Sequence, residues 1–496
     1  MDPVGWMERL ASHYEVMRSR YPEEKLIILF DIDGTILDTR YLVITVLQSY
    51  DTTHGTSHFR NLRISEITTH EDNIRELLVR FGLSTTEREQ IAAWYERAYW
   101  SPDAVLWAHR PFSGVMEVMR WFQMQPDTFV GLNTGRSEAI RAETLDCLNE
   151  LGKEYKVRFT SDLLHMNPGP RDRNVPRVKA AGVLQFQRAG YRVFAAVDNE
   201  PANLAAIAEV DPSHQIMLLH ADTIFESQRK ALPPRSVSGD VYDLTQLAQE
   251  TDLPRHVQLV WHGTNDARNL RLFLASNVTW GEADVRLAPA SEQLVLRHDP
   301  LDGAHPCRQE DLLLLEDVLE SVGASGKSIK LDLKEGGPVV HESLAALRAA
   351  GFDDSRVWFN ANANLLGREG FAVLQDAYPS AIMQCPIDAM VPILLSRPEE
   401  GLECLEELRS WGINRLSVKW NTPQMSRLVE QLTSWGFETN VYNVPDLKAF
   451  LKTALLLPRS ITSDFNFPQW HYFGRGSGQE GKYHEYSIKT EAPLTQ

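Results

Sequence analysis

From about residue 256 onward one pattern recurs eight times: a short strand-like run, followed in most cases by a helical pattern. The strand candidates are Gln258–His262, Val278–Val285, Ser328–Leu333, Val357–Asn362, Ala381–Cys385, Arg415–Lys419, Glu438–Asn443 and Ser460–Phe465. Leu312–Val322 and Met425–Trp435 are two of the helical patterns between them, and Leu294–His298 is an extra extended piece after the second strand. Strands joined through helices run parallel and are covered by those helices. Eight such units in roughly 250 residues predict a closed (β/α)8 barrel of the TIM type.

Strand side chains alternate faces with period two. Glu282 and Asp284 share one face, as do Lys330, Asp332 and Lys334, and as do Asn360 and Asn362. Helices cover the outside of the barrel, so this polar face points inward. Buried charge is costly unless it is paired or bound to metal. The carboxylates of Glu282, Asp284 and Asp332 therefore predict a hard divalent cation, Mg²⁺ or Ca²⁺. Lys330 and Lys334 supply positive charge for a phosphate. His262 and His298 each close an extended run and are placed to act as base and acid on a phosphodiester. The plainer alternative is an internal salt-bridge network in a non-catalytic barrel that only binds.

The preceding stretch is also α/β. Leu26–Phe30, Thr128–Leu132 and Arg192–Val197 read as buried parallel strands of a Rossmann-like sheet. About a hundred residues of mostly helical pattern separate the first two, too many for one crossover helix, so a small helical domain is inserted there. The first strand ends in Asp31-Ile-Asp33-Gly-Thr35. Ligands of open α/β sheets sit beyond the carboxyl ends of strands. Asp31 is thus placed to attack phosphorus, with Asp33 as acid and base. Mg²⁺ on Asp31, Asp33 and Asp198 would neutralise the substrate. Thr134 and Gly135 end the second strand with a hydroxyl and free amides for phosphate oxygens, and Lys179 adds charge. Taken singly, Thr134 also reads as an N-cap, Lys179 as a solvated face and Asp198 as a turn.

These motifs resemble two families. Over roughly 22–225 the chain is similar to the haloacid dehalogenase (HAD) superfamily. The resemblance makes Asp31 the nucleophile and Asp33 the acid/base. Thr134 becomes the second-motif hydroxyl, Lys179 the third-motif lysine and Asp198 the fourth-motif metal ligand. Asn199 stands where a second Asp is frequent, which leaves Glu200 or Asn203 to complete that shell. Over roughly 256–466 the chain resembles the PLC-like phosphodiesterases, including glycerophosphodiester phosphodiesterases, and more closely the FAM151/menorin family. There His262 and His298 match the acid/base histidines, Glu282, Asp284 and Asp332 the metal ligands, and Lys334 the strand lysine. Ile461-Thr-Ser-Asp-Phe465 matches a last-strand signature. Gly263 stands where glycerophosphodiesterases usually have Arg, which turns Asn265 toward metal or phosphate.

The expected organisation is a HAD-like phosphohydrolase domain at 1–235 with a helical cap at about 37–110. A Pro/Ser/Gly-rich linker at 236–255, the barrel at 256–466 and a tail at 467–496 follow. The expected activity is bifunctional hydrolysis of a small phosphorylated substrate, monoester in the first domain and diester in the second. Two alternatives are a HAD phosphatase with a binding-only barrel and a nucleic-acid end-processing phosphatase, the latter drawing on Arg171, Arg173, Arg177 and Lys179. A formal charge of −17 disfavours nucleic acid. Four scattered cysteines imply neither a disulfide framework nor a zinc cluster. No apolar run reaches the roughly 18–20 residues of a membrane span, and the charged N-terminus lacks a signal-peptide core, so a cytoplasmic protein is expected. Oligomeric state is left open.

Overall fold

The structure, a computed structural model, describes residues 5–107, 109–169, 174–224, 231–248, 256–276, 278–289, 291–301 and 312–464, with the backbone of 475–477 and 483–485. The chain divides into two compact units, Met1–Ala248 and Gln249–Gln496. Among the described residues no helix is long and apolar enough to cross a membrane.

The first unit is built on six parallel strands: β1 (Lys25–Phe30), β2 (Thr128–Ser137), β3 (Leu164–Asn167), β4 (Tyr191–Asp198), β5 (Met217–Ala221) and β6 (Val237–Gly239). Their order is β3-β2-β1-β4-β5-β6. This is the doubly wound order, and its switch point lies between β1 and β4. The run Leu-Ile-Ile-Leu-Phe makes β1 because both of its faces are buried, so it needs no polar alternation. Helices Thr39–His54, Ile74–Leu78 and Thr85–Ala98 form a helical insert where the cap was expected, around an apolar cluster of their own that includes Leu42, Leu47, Phe59, Leu78 and Tyr95. The chain leaves and re-enters the sheet domain side by side: Asp38 N donates to Arg110 O and Phe112 N to Ile36 O, both at 2.9 Å.

One boundary departs from expectation. The segment 236–255 is not wholly a linker, because Val237–Gly239 pairs with β5 as the sheet's edge and Tyr242 Oη donates to Thr35 O at 3.0 Å. A three-residue Val-Ser-Gly edge strand carries no apolar run that would announce it.

In the second unit β7 (Gln258–Trp261), β8 (Trp280–Leu287), β10 (Ser328–Leu333), β11 (Val357–Asn360), β12 (Ile382–Pro386), β13 (Arg415–Lys419), β14 (Glu438–Val444) and β15 (Ser460–Ser463) form a closed parallel ring. The short strand β9 (Leu294–Leu296) pairs antiparallel with β8. Each strand matches an expected run within a few residues. Phe465 and the tail from 467 to 474 lie outside the described residues. Register places Asp284, Asp332, Asn360 and Gln384 in one row across four neighbouring strands. Glu282, Lys330, Trp358 and Ile382 form the row below it. The strands therefore raise a polar layer toward their carboxyl ends above an apolar floor of Val260, Trp280 and Trp358.

Candidate active sites

In the first unit, Asp31 follows β1 and Asp198 ends β4, so the switch point brings both carboxylates together. Lys179 Nζ joins them, 2.5 Å from Asp31 Oδ1 and 2.7 Å from Asp198 Oδ2. Lys179 sits on the helix Val175–Arg188 and is locked to β2 from both ends. Its Nζ donates to Asn133 O at 2.6 Å, and Asn133 Nδ2 donates to Lys179 O at 2.9 Å. Burial raises the Asp31 carboxyl above its ordinary range, and the Lys179 charge opposes that rise. Asp198 Oδ1 accepts from Glu200 N and Asn203 Nδ2, both at 2.9 Å, so Asn203 rather than the Glu200 side chain holds this carboxylate.

Asp33 is engaged differently from the expectation. Arg136 Nε and Nη2 donate to its two carboxylate oxygens, each at 2.7 Å. Both oxygens are thus taken by a buried guanidinium, and the carboxylate is not a ready metal ligand. The Asp33 main-chain oxygen is the better donor. With its nitrogen turned inward, the Asn199 amide lies 3.2 Å from that oxygen and 3.3 Å from Asp31 Oδ2. Burial alone would raise Asp33, but Arg136 outweighs it and holds the carboxyl below its ordinary range. Arg136 Nη2 also meets His109 Nε2 at 3.2 Å, and burial beside that cation lowers His109 to about 3, leaving it neutral. Thr134 is buried, and its Oγ1 accepts from Arg136 N at 3.2 Å. Gly135 packs on Val175 at the start of the Lys179 helix.

The cap contributes residues that the sequence pattern did not single out. His70 Nε2 lies 3.7 Å from Glu71 and 3.8 Å from Glu200 of the sheet domain. Thr39 Oγ1 donates to Glu71 Oε2 at 3.2 Å. Arg171 and Arg173 lie outside the described residues.

In the second unit the row of acids opens on a cavity of about 270 Å³, lined by His262, Glu282, His298, Lys330, Asp332, Lys334 and a set of uncharged residues from β11 to β15. Lys334 Nζ stands between Asp332 Oδ2, at 2.5 Å, and Asp284 Oδ1, at 3.0 Å. Lys330 Nζ lies 3.2 Å from Glu282 Oε1 and donates to Thr462 Oγ1 at 3.2 Å. Asn265 pairs with Asp284 twice: its Nδ2 donates to Asp284 Oδ2 at 2.5 Å, and Asp284 N donates to its Oδ1 at 2.9 Å. Asn265 is therefore a holder of Asp284 in this arrangement. The two histidines differ. His298, on the segment after β9, is partly exposed and meets Asp299 Oδ1 at 3.0 Å. His262 is buried, with Nδ1 hydrogen-bonded to Asp464 Oδ1. Burial works against its charged form, but Asp464, with Glu282 and Asp284 beyond it, pushes the imidazole up to about 9. Asp464 is the acid of the last-strand signature, visible in the sequence though its partner was not.

Among the described residues no three His, Cys, Asp or Glu side chains gather as a ready metal cluster. The donor chemistry nonetheless fits a hard cation. Glu282 Oε2 is buried with no hydrogen-bond donor, and one row above it stand the carboxylates of Asp284 and Asp332, whose oxygens Lys334, Asn265 and Asn360 hold in this arrangement. In the first unit Asp31 Oδ2 and the Asp33 main-chain oxygen converge on one point, the Asn199 amide.

The family described as Menorin N-terminal domain matches residues 256–367. No curated protein matches the chain. Among solved structures, the chain is similar to a glycerophosphodiester phosphodiesterase from Parabacteroides distasonis, at 17% identity over 42% of this chain and 93% of that one, with a TM-score of 0.34. It is similar to an Oleispira antarctica phosphodiesterase in complex with the product sn-glycerol-3-phosphate, at 17% identity over 43% and 94%, with a TM-score of 0.34. It is also similar to CbbY from Rhodobacter sphaeroides in complex with phosphate, at 12% identity over 44% and 94%, with a TM-score of 0.28.

Proposed function

We propose that this chain hydrolyses phosphoric esters at two sites, a phosphomonoester in the first unit and a phosphodiester in the barrel. The observation that carries the reading is the barrel cavity. It sets a carboxylate-held histidine beside acids and lysines that phosphate and a divalent cation would share.

In the first unit the Asp31 carboxylate attacks phosphorus, the ester P–O bond breaks as the aspartyl phosphate forms, and the alcohol leaves after taking up a proton from solvent. Lys179 neutralises the phosphate and keeps the nucleophile in line, and Thr134 offers a hydroxyl to its oxygens. Asp33 is ionised, and it acts as the base that activates water for the second half-reaction once an oxygen is released from Arg136. Mg²⁺ held by Asp31, Asp198 and the Asp33 main chain would stabilise charge on the transferring group.

In the barrel, Asp464 favours the imidazolium of His262, which is the acid that delivers a proton to the leaving oxygen. His298 is the base. Lys330 and Lys334 balance the phosphate charge. A divalent cation held by Glu282, Asp284 and Asp332 would polarise a phosphoryl oxygen. Diester cleavage leaves a phosphomonoester, the kind of molecule an aspartate nucleophile accepts, so the two reactions form a chemical sequence.

A second reading keeps the barrel as a binding module. Lys334 seated between Asp284 and Asp332 favours it, because an ammonium already neutralises the acids there. The full chain with Mg²⁺ should release phosphate from an aryl monoester and cleave an aryl diester. Asp31→Asn should abolish the first activity alone, and Glu282→Ala with Asp332→Ala the second alone. Monoester turnover that survives Asp31→Asn would remove the nucleophile assignment. Diester cleavage that survives the double variant would remove the barrel assignment.

A further inference from the structure

We infer that the alcohol carried by the barrel's diester is a neutral, hydroxyl-rich ring of sugar type, seated on an uncharged arc of the cavity. This rests on the phosphodiesterase reading above.

The cavity is divided by charge. Its ionic side chains come from β7, β8, β10 and the segment after β9. The arc from β11 to β14 offers Asn360, Asn362, Gln384, Ser417, Tyr442 and Asn443, none of them charged. The polarity of this arc is set by Asp332. An ionised carboxylate only accepts, so Asn360 must present its amide nitrogen, which donates to Asp332 Oδ1 at 2.8 Å. The Asn360 oxygen then faces outward and accepts from Gln384 Nε2 at 2.8 Å. That leaves Gln384 Oε1 at the end of the relay. The residue is 1% exposed and this oxygen has no donor. An acceptor so placed calls for a ligand that donates. Tyr442 adds a second one. Its hydroxyl proton is committed to Asp388 Oδ2 at 2.6 Å, so its lone pairs are what remains for the cavity.

The backbone is shaped for this arc. The pairing of β14 with β15 shifts register between Val441 and Val444, and Asn443 has φ +55°. A bulge there turns two successive residues, Tyr442 and Asn443, into the cavity, where a regular strand would turn one. Leu365, 44% exposed, lines the same side and gives it an apolar surface. A pyranose has edges of hydroxyls and a face of C–H groups, and this wall has both counterparts. Among the described residues none that lines the arc is a carboxylate, and Asp388, next to it, is bonded to the Tyr442 hydroxyl. The volume, below the roughly 300–1,000 Å³ of drug-sized sites, suits one ring and a phosphate rather than a lipid.

The test compares methyl glucosyl phosphate with methyl cyclohexyl phosphate, which differ in ring hydroxyls, by calorimetric binding to the full chain in Mg²⁺ and by turnover. The glucosyl ester should bind at least about tenfold more tightly. Gln384→Met should collapse that ratio toward one, and so should Asn443→Gly, a variant whose backbone suits φ +55° and which keeps the fold. Equal affinity for both esters, or a ratio unmoved in both variants, overturns the inference. A hydroxyl preference without cleavage of any diester, aryl esters included, would retain the subsite and reject the hydrolase reading. Cleavage of an aryl diester without a hydroxyl preference would do the reverse.

Discussion

Arg136 and Asp33 meet through two parallel hydrogen bonds of 2.7 Å, with the guanidinium wholly buried. Desolvating both charges is costly, and the fork recovers that cost only while both partners are present. Arg136→Met should therefore lower the stability of the chain by about 3–5 kcal/mol, and adding Asp33→Asn should restore part of it. Denaturant unfolding measures both. Additive losses would show that the two residues do not act as a pair.

The same pair predicts an acid limb. Asp33 is held below its ordinary value of 3.8, so its contribution is present above that value and fades as the pH falls through the lowered one. In Arg136→Met this late acid transition should move to higher pH, as read by circular dichroism.

Gly34 sits at φ +77°, and a Cβ there would overlap the Asn199 side-chain amide. Both the left-handed backbone and the close approach exclude a side chain. Gly34→Ala should cost about 1–3 kcal/mol and push Asn199 off Asp31. Monoester turnover should drop at least tenfold, while diester cleavage is the internal control. Unchanged monoester turnover would show that the contact has no part in the site.

His262 rises from an ordinary 6.5 to about 9 because Asp464 holds its charged form. The sign follows: its stabilising contribution is full below about 6.5 and is lost as the pH rises through about 9. Diester cleavage that needs the imidazolium should fall over the same alkaline range. Asp464→Asn should shift that limb toward neutrality and leave the monoester limb in place. A pH–kcat/KM profile on both ester classes checks it. An alkaline limb unmoved by Asp464→Asn would detach His262 from the acid role.

The readable part of this chain is local. Asp31 and Asp198 stood out because each follows or ends a short apolar run, and Lys179 was picked out by its place between them in chain order. The inward acids of β8 and β10 were visible as period-two alternation against Ala283, Leu331 and Leu333. What stayed hidden depends on distant partners. Arg136 lies 103 residues from Asp33, and Asp464 lies 202 from His262. Each looked like an ordinary strand-end charge until the fold supplied its mate. The cap pair His70 and Glu71 sits at the start of a helical pattern, Glu71–Phe81, which does not mark either side chain as meeting another. The bulge at Asn443 is a backbone event that no side-chain pattern records.

Metal dependence gives the last prediction. Glu282 Oε2 is a buried carboxylate oxygen without a donor, and Lys330 faces only its other oxygen. Such an atom is costly as it stands, and a cation that seats there binds the folded chain alone. Divalent ion at about a hundred times its dissociation constant should add roughly 2.7 kcal/mol of stability by mass action. Glu282→Gln removes the charge but keeps the shape, so it should raise the stability of the metal-free chain while reducing the Mg²⁺- or Ca²⁺-induced rise in Tm. The first unit's site is untouched by this change, so any residual rise belongs there, and Asp31→Asn should remove it. Thermal scans with chelator and with each ion measure the effect. An identical ion-induced rise in the native chain and in Glu282→Gln would place the barrel's cation elsewhere and leave Lys334 as the only positive charge that Asp284 and Asp332 require.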